Sequence, residues 1–212
     1  MPCPLCESKE LIDLYSNKRR DFIRCCNCKL VFVPPEYHLS YEDEKSRYDL
    51  HQNSPEDEGY KKFLSRLAIP LQKRLKAKSH GLDFGSGPGL TPTLSKMLEE
   101  EGHLVNIYDY IYAPDKTALN KRYDFITATE VFEHLRNPGQ EIKMLWELLN
   151  PGGILGIMTK LLIDQQDFPK WHYIMDRTHI CFFSEKTFMW LSNKLKARLE
   201  FIESDVIMLT KC

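Results

Sequence analysis

Long apolar runs are absent from the 212 residues: nothing approaches the roughly 18 consecutive apolar positions that a membrane span needs. The first residues, Met1-Pro2-Cys3-Pro4-Leu5-Cys6, lack the basic, then apolar, then small-residue order of an export signal. A cytoplasmic location without a membrane partner is therefore the expectation. Charge of one sign is also missing. Lys and Arg number 29 and Asp and Glu 30, a net charge of −1, so no whole-chain attraction to nucleic acid or anionic lipid exists, although a local basic patch is compatible with it. Internal repeats and low-complexity tracts are absent, and 42% hydrophobic with 28% charged residues excludes a disordered or collagen-like chain. The length suits one α/β-sized unit with a small appendage.

Cysteine is unevenly spread. Five of the seven, Cys3, Cys6, Cys25, Cys26 and Cys28, fall in the first 28 residues, while Cys181 and Cys212 stand apart as a core residue and a tail residue. Without an export signal disulfides are not expected. Cys3-x-x-Cys6 and Cys25-x-x-Cys28, with 18 residues between them, have zinc-ligand spacing, since each tight turn supplies two thiolates to a tetrahedral ion. Cys26 is spare. A redox pair also uses C-x-x-C but requires no second copy. Four thiolates close the coordination shell, so Cys3, Cys6, Cys25 and Cys28 are read as ligands of a structural Zn²⁺. The segments 11–15, 22–24 and 30–33 read as short strands before Pro34-Pro35, making residues 1–35 a zinc ribbon.

Residues 36–79 read as a polar connector without periodicity, followed by a covering helix over 60–78 with a kink at Pro70. From residue 80 to 212 the pattern alternates. Strands are predicted at 81–84, 104–108, 123–129 and 154–158, helices at 90–101 and 140–149, and at the end a helix capped by Ser184 and a hairpin over 199–202 and 206–209. Such alternation indicates an α/β fold with a doubly wound, mostly parallel sheet, whose ligands sit at the carboxyl ends of the strands.

The turn after the first of these strands, Gly85-Ser86-Gly87-Pro88-Gly89, is neither of the two common phosphate cradles. The sixth position from Gly85 is Leu90, where a dinucleotide fingerprint needs Gly or Ala, and no Lys-Ser/Thr follows. What stands there is Asp83-x-Gly85-x-Gly87-x-Gly89. This resembles the first motif of the class I S-adenosylmethionine-dependent methyltransferases. Asp109, at the end of the second strand, is similar to their ribose-binding acid, YDFITATEVFEH at 123–134 to their fourth motif, and NPGGIL at 150–155 to their Pro-Gly-Gly turn. The ribbon followed by this domain is similar to a group of bacterial methyltransferases. The resemblance spans about residues 80 to 210 and implies S-adenosylmethionine as cofactor, held by Asp83, Gly85, Ser86, Gly87, Gly89, Asp109 and Thr129. Only 13 residues, 110–122, separate Asp109 from the next strand, too few for the helix, strand and helix that the family places there. The third strand is therefore expected to be missing or vestigial, with 110–112 as a substitute wall.

A second constellation follows the fourth-motif strand. If Glu130 opens a helical turn, Glu133 and His134 share its face, and with the later His179 they would suit a divalent cation such as Mg²⁺. The set is similar to that of metal-dependent small-RNA 2′-O-methyltransferases and quinone-pathway O-methyltransferases. The alternative is a metal-free site in which Glu130 faces the cofactor and His134 or His179 acts as general base. Trp171-His172-Tyr173 reads as a substrate wall or as a loop anchored by its Trp. The expected activity is methyl transfer to an oxygen or nitrogen of a small or carrier-bound metabolite. Two alternatives stay open: a ribosomal-RNA methyltransferase, against which the absence of net positive charge argues, and a non-catalytic binding module.

Overall fold

The computed structural model describes residues 1–50, 54–88, 92–163 and 166–212. Two hairpin strands open the chain, β1 (Leu11–Ser16) and β2 (Asp21–Cys25), and β3 (Val31–Phe32) pairs antiparallel to β2. The connector holds a helix that periodicity does not reveal, α1 (Tyr41–Tyr48). It is polar all round, so no apolar stripe betrays it. Its stability comes from its ends: the Ser40 hydroxyl accepts from the Asp43 amide, Glu42, Asp43 and Glu44 fill the first turn, and Lys45 and Arg47 the last. The covering helix α2 (Glu58–Gln72) starts two residues earlier and stops six earlier than its spacing predicts, and carries Pro70 inside its last turn.

The main sheet follows, with β4 (His80–Phe84), α3 (Thr93–Glu100), β5 (Leu104–Tyr108), β6 (Tyr123–Thr129), α4 (Pro138–Leu148) and β7 (Leu149–Met158). After β8 (Cys181–Phe182) come α5 (Glu185–Leu195), β9 (Ala197–Phe201) and β10 (Val206–Lys211). The Pro151-Gly152-Gly153 turn lies inside the span of β7 rather than ahead of it, because Leu149 already pairs with Tyr123. The order is β5-β4-β6-β7-β10-β9, parallel from β5 to β7 and antiparallel in the closing hairpin. β5 is an edge strand. Between it and β6 the described residues hold one 3-10 segment, Lys116–Asn120, and no strand. The doubly wound fold lacking its third strand is thus what the chain adopts.

The ribbon is not a bead on a string. Its sheet has the order β1-β2-β3-β8, so its fourth strand comes from residues 181–182. One apolar core runs from Phe22, Leu30 and Phe32 through Phe182, Phe183 and Phe132 to Ile157 and Ile207. α2 and α3 cover the other face of the main sheet on Leu64, Leu67, Leu98, Phe125 and Met208. At Gly139 an added Cβ would lie 2.6 Å from the carbonyl oxygen of Leu5, so only glycine lets the first cysteine turn dock on α4.

Candidate active site

The glycine turn leaves β4 with its backbone turned left-handed at Gly85 (φ +73°) and Gly87 (φ +75°). The two glycines are required for different reasons. A Cβ on Gly85 would strike Val131 Cγ2 at 2.4 Å, whereas one on Gly87 meets nothing within 4 Å among the described residues. The Gly85 amide donates to the Tyr108 carbonyl at 2.7 Å and the Gly87 amide to Asp109 Oδ2 at 3.1 Å. Asp109 also accepts from the amides of Ile111 (2.8 Å) and Tyr112 (3.0 Å), so this buried carboxylate ties the turn to the end of β5. Asp83 lies deeper. It accepts from Ser95 Oγ and Thr127 Oγ1, each at 2.9 Å, and burial pushes it up to about 6. Among the described residues two buried hydroxyls, Ser86 Oγ and Thr129 Oγ1, have no hydrogen-bond partner, and they lie at the carboxyl ends of β4 and β6. A buried polar atom without a protein partner is one that a ligand or water can bond. Gly89 lies outside the described residues.

Beyond Thr129 the chain does not enter an α-helix. Glu130 is left-handed (φ +52°), its amide donating to the Met158 carbonyl at 2.8 Å, and Phe132–His134 forms a single 3-10 turn. This corrects the helical reading of the EVFEH stretch. The left-handed residue takes Glu130 out of that turn, yet its carboxyl stays beside Glu133, whose charge and hydrogen bond act on it. The three residues that do converge are Glu133, His134 and His179, one donor atom from each lying within 4.8 Å of the others.

Their surroundings are specified. Glu133 is fully buried and accepts from Thr159 Oγ1 at 3.0 Å and from the Tyr173 hydroxyl. His134 Nδ1 sits 3.0 Å from the Thr178 carbonyl oxygen and His179 Nδ1 2.8 Å from that of Tyr173. A carbonyl oxygen only accepts, so both Nδ1 atoms carry the proton and both Nε2 atoms hold lone pairs. The rings stand 4.9 Å apart. Burial, then the neighbouring His134, holds His179 below the usual histidine range. Glu130 is pushed up to about 9 by burial and then by Glu133.

The Trp171-His172-Tyr173 wall divides. Tyr173 is buried at the site with its hydroxyl on Glu133. Trp171 packs against Phe168, Tyr173 and Phe182, facing the ribbon core. His172 is exposed, its Nε2 2.9 Å from Lys160 Nζ.

Several site residues carry no sequence signal. Tyr48 of α1 stands edge-on to His134 at 5.4 Å, and its hydroxyl donates to Glu44, a buried carboxylate paired with Arg136 at 2.8 Å. Tyr112 donates to Asp49 at 2.7 Å, and Tyr110 lies edge-on to Tyr41 at 6.3 Å, so segment 110–112 holds α1 over the strand ends. Tyr60 of α2 is pushed up to about 12 by burial, with Asp83 and Glu130 adding to it. Arg20, in the turn between β1 and β2, is only 3% exposed. Its guanidinium donates to the carbonyls of Ile174 (2.7 Å), Asp176 (2.6 Å), His179 (2.8 Å) and Arg177 (3.3 Å). The ribbon therefore grips the loop that presents Tyr173 and His179. Backbone bonds continue the grip, from the Val33 amide to the Ile180 carbonyl (2.9 Å) and from the Ile180 amide to the Glu133 carbonyl (2.7 Å).

The other convergent group is Cys3, Cys6, Cys25 and Cys28. The Cys3–Cys28 and Cys6–Cys25 sulfurs are 3.5 and 3.4 Å apart. That is far beyond a disulfide bond of about 2.05 Å and close to the edge of about 3.8 Å in a tetrahedron with 2.3 Å metal–sulfur bonds. The two turns are copies. In each, the first Cys accepts from the residue four on (Glu7, Lys29), which is left-handed, and donates to the residue five on (Ser8, Leu30). The hydrogen bond with Cys28 pulls Cys3 down to about 6, and the same bond, with burial, pushes Cys28 up. Cys26 is not part of the group.

The sequence matches the methyltransferase-domain family over residues 51–195. No curated protein matches it closely enough to count as a relative. Among the solved structures that share the fold are two methyltransferases. A 1,6-didemethyltoxoflavin N1-methyltransferase from Burkholderia thailandensis, with bound 1,6-didemethyltoxoflavin and S-adenosylhomocysteine, superimposes with a TM-score of 0.53 at 14% identity, covering 89% of this chain and 98% of its own. A magnesium protoporphyrin IX methyltransferase from Synechocystis PCC 6803, with bound S-adenosylhomocysteine, gives 0.53 at 13% identity over 81% of this chain and 94% of its own. With the family model matched over 51–195, most of its length, and two methyltransferases sharing its fold, the chain belongs to the methyltransferase-domain family.

Proposed function

We propose that the protein methylates an oxygen of a small or carrier-bound metabolite, with Glu133, His134 and His179 holding a divalent cation against the acceptor. The observation that carries this reading is the convergence of one carboxylate and two imidazoles just past β6, next to the strand end that bears the unpartnered Thr129 hydroxyl. For the cofactor, the residues present fit. Among the described residues Gly87 leaves open space and Ser86 Oγ and Thr129 Oγ1 lack partners, and Asp109 would accept from sugar hydroxyls, with Asp83 behind it. S-adenosylmethionine supplies an electrophilic methyl group when bound; the two fold relatives named above carry its demethylated product.

The chain's own groups do the rest. The two fixed tautomers leave Nε2 lone pairs, and Thr159 and Tyr173 orient the Glu133 carboxylate, the supporting pattern of a metal centre. Two nitrogens and one carboxylate suit Mn, Fe, Co or Zn better than Mg²⁺, which prefers an all-oxygen octahedron. A cation there would lower the pKa of an acceptor hydroxyl. It would also offset Glu133 and bring Glu130 down from about 9 toward neutrality, making Glu130 the base that receives the hydroxyl proton. The cysteine tetrad would hold a structural Zn²⁺.

The test is titration with S-adenosylhomocysteine, followed by metabolite fractions incubated with labelled methyl donor, with and without chelator. Affinity for the cofactor product, and labelling abolished by chelator but restored by Mn²⁺, Co²⁺ or Zn²⁺, is expected. Labelling indifferent to chelator would overturn the cation and leave His134 or His179 as base. Labelling of ribosomal RNA alone would favour the nucleic-acid alternative.

A further inference from the structure

On the far side of the loop that presents Tyr173 and His179 lies a cleft of about 250 Å³. Tyr15, Asn17, Lys18, Arg19 and Arg20 line one wall, and Pro169, Ile174, Met175 and Arg177 the other. Its charge is one-sided in a chain whose net charge is only −1: four cations and no carboxylate. Arg20 forms the floor, its guanidinium on four backbone carbonyls. Lys18, Arg19 and Arg177 are exposed on the rim, and none of the three makes an ion pair among the described residues. The nearby carboxylates are engaged elsewhere. Asp176 accepts from the Thr178 amide and hydroxyl at 2.9 and 2.8 Å, and Asp21 from Ser16 and from Tyr37 at 2.8 Å. Between the cations the surface is apolar, with the Tyr15 ring on one side and Ile174 and a 65% exposed Met175 on the other.

Three unpaired cations around a concave apolar surface are complementary to an anion attached to a body. Two guanidinium forks beside an ammonium match the geometry of a phosphate, and a ring with a thioether offers a face for stacking and adaptable packing. We propose that this cleft binds the phosphate-bearing end of an organic ligand, with Lys18, Arg19 and Arg177 on the phosphate and Tyr15, Ile174 and Met175 on the adjoining group. Arg177 stands two residues before His179, and Ile174 directly after Tyr173. A ligand anchored in the cleft is thus held against the loop that builds the catalytic cluster. That this ligand is the methyl acceptor itself rests on the function proposed above; the binding does not.

The experiment reads binding alone, on the full chain. Adenosine 5′-monophosphate, 4′-phosphopantetheine and inorganic pyrophosphate are titrated while the backbone amides of residues 17–20 and 174–177 are followed by NMR, with adenosine and pantetheine as uncharged controls. The two organic phosphates separate a nucleotide-borne from a carrier-borne source. At least one of them is expected to bind more tightly than pyrophosphate and than its uncharged control, and to weaken as salt is raised. Lys18→Glu, Arg19→Glu and Arg177→Glu should each weaken it about tenfold or more without lowering Tm, because all three side chains stand outside the core. Equal affinity for pyrophosphate and the organic phosphates would overturn the organic part of the proposal. Titration unchanged in all three variants would overturn the site. Binding of a short single-stranded RNA without either small phosphate would make the patch a nucleic-acid surface instead. Loss of methyl transfer with cleft binding intact would count against the catalytic reading only.

Discussion

The cysteine tetrad and the Glu133–His134–His179 cluster differ in how they are closed. The tetrad is built from two copies of one short turn, brings four like ligands together and leaves no position for a reactant. The second cluster takes its residues from two distant segments, brings one carboxylate and two imidazoles together and has hydroxyls and carbonyls holding each in place. On the reading proposed above, the closed set would serve folding and the open set, with its built support, would serve chemistry. The two are also mechanically joined, since Arg20 of the ribbon grips the loop that carries His179.

Breaking the closed set should have the largest effect. Cys25→Ser is expected to lower stability by about 4 kcal/mol or more, read as the denaturant midpoint together with loss of bound zinc. Cutting the joint comes next. Arg20→Met leaves four carbonyls without their donor and should cost about 3 kcal/mol, with the His179 pKa, followed by NMR, moving back toward the ordinary value. Arg20→Lys, which keeps charge but not the fork, should restore less than half of the loss. A Met variant that leaves His179 unmoved would disconnect the two regions.

The open set is probed more gently. Tyr173→Phe removes one support of Glu133 and should weaken Co²⁺ or Mn²⁺ binding at that site about tenfold, while the zinc content of the tetrad stays the same. Glu130→Gln tests the sign of a titration. Glu130 ionises at about 9 in the fold against 4.5 when unfolded. The folded protein therefore binds more protons than the unfolded chain between these values, and stability is lost as pH rises through that window. The metal-free variant should keep its stability better than the parent as pH rises from 4 to 8, with no difference near pH 4, as measured by Tm against pH. Smallest of all is Cys26→Ser, expected within about 0.5 kcal/mol of the parent.

Much of the scaffold could be read from residue order. β5 and β6 begin and end where the apolar pattern places them, and the short interval 110–122 foretells a sheet without its third strand. The candidate site was legible in part. Glu133, His134 and His179 meet, and Glu130 lies beside Glu133 but outside the three converging donors, because a left-handed residue stands where a helix was inferred. α1 escaped detection because its stability comes from a cap and from the Glu44–Arg136 pair, with Tyr48 added across space. Arg20 escaped because nothing in Asn17-Lys18-Arg19-Arg20 distinguishes a buried arginine from its exposed neighbour.

What the amino-acid order determined by itself is everything settled within a few residues: the two cysteine turns, the glycine turn at Gly85 and Gly87, and the alternation of strand and helix. There the interacting atoms are neighbours in the chain, so spacing is geometry. Tertiary structure alone decided that β8 completes the ribbon, that Arg20 meets carbonyls more than 150 positions later, and that His179 reaches Glu133 and His134. Those outcomes depend on which surfaces are buried together, and the burial of a charge or a strand edge is a property of the packed whole.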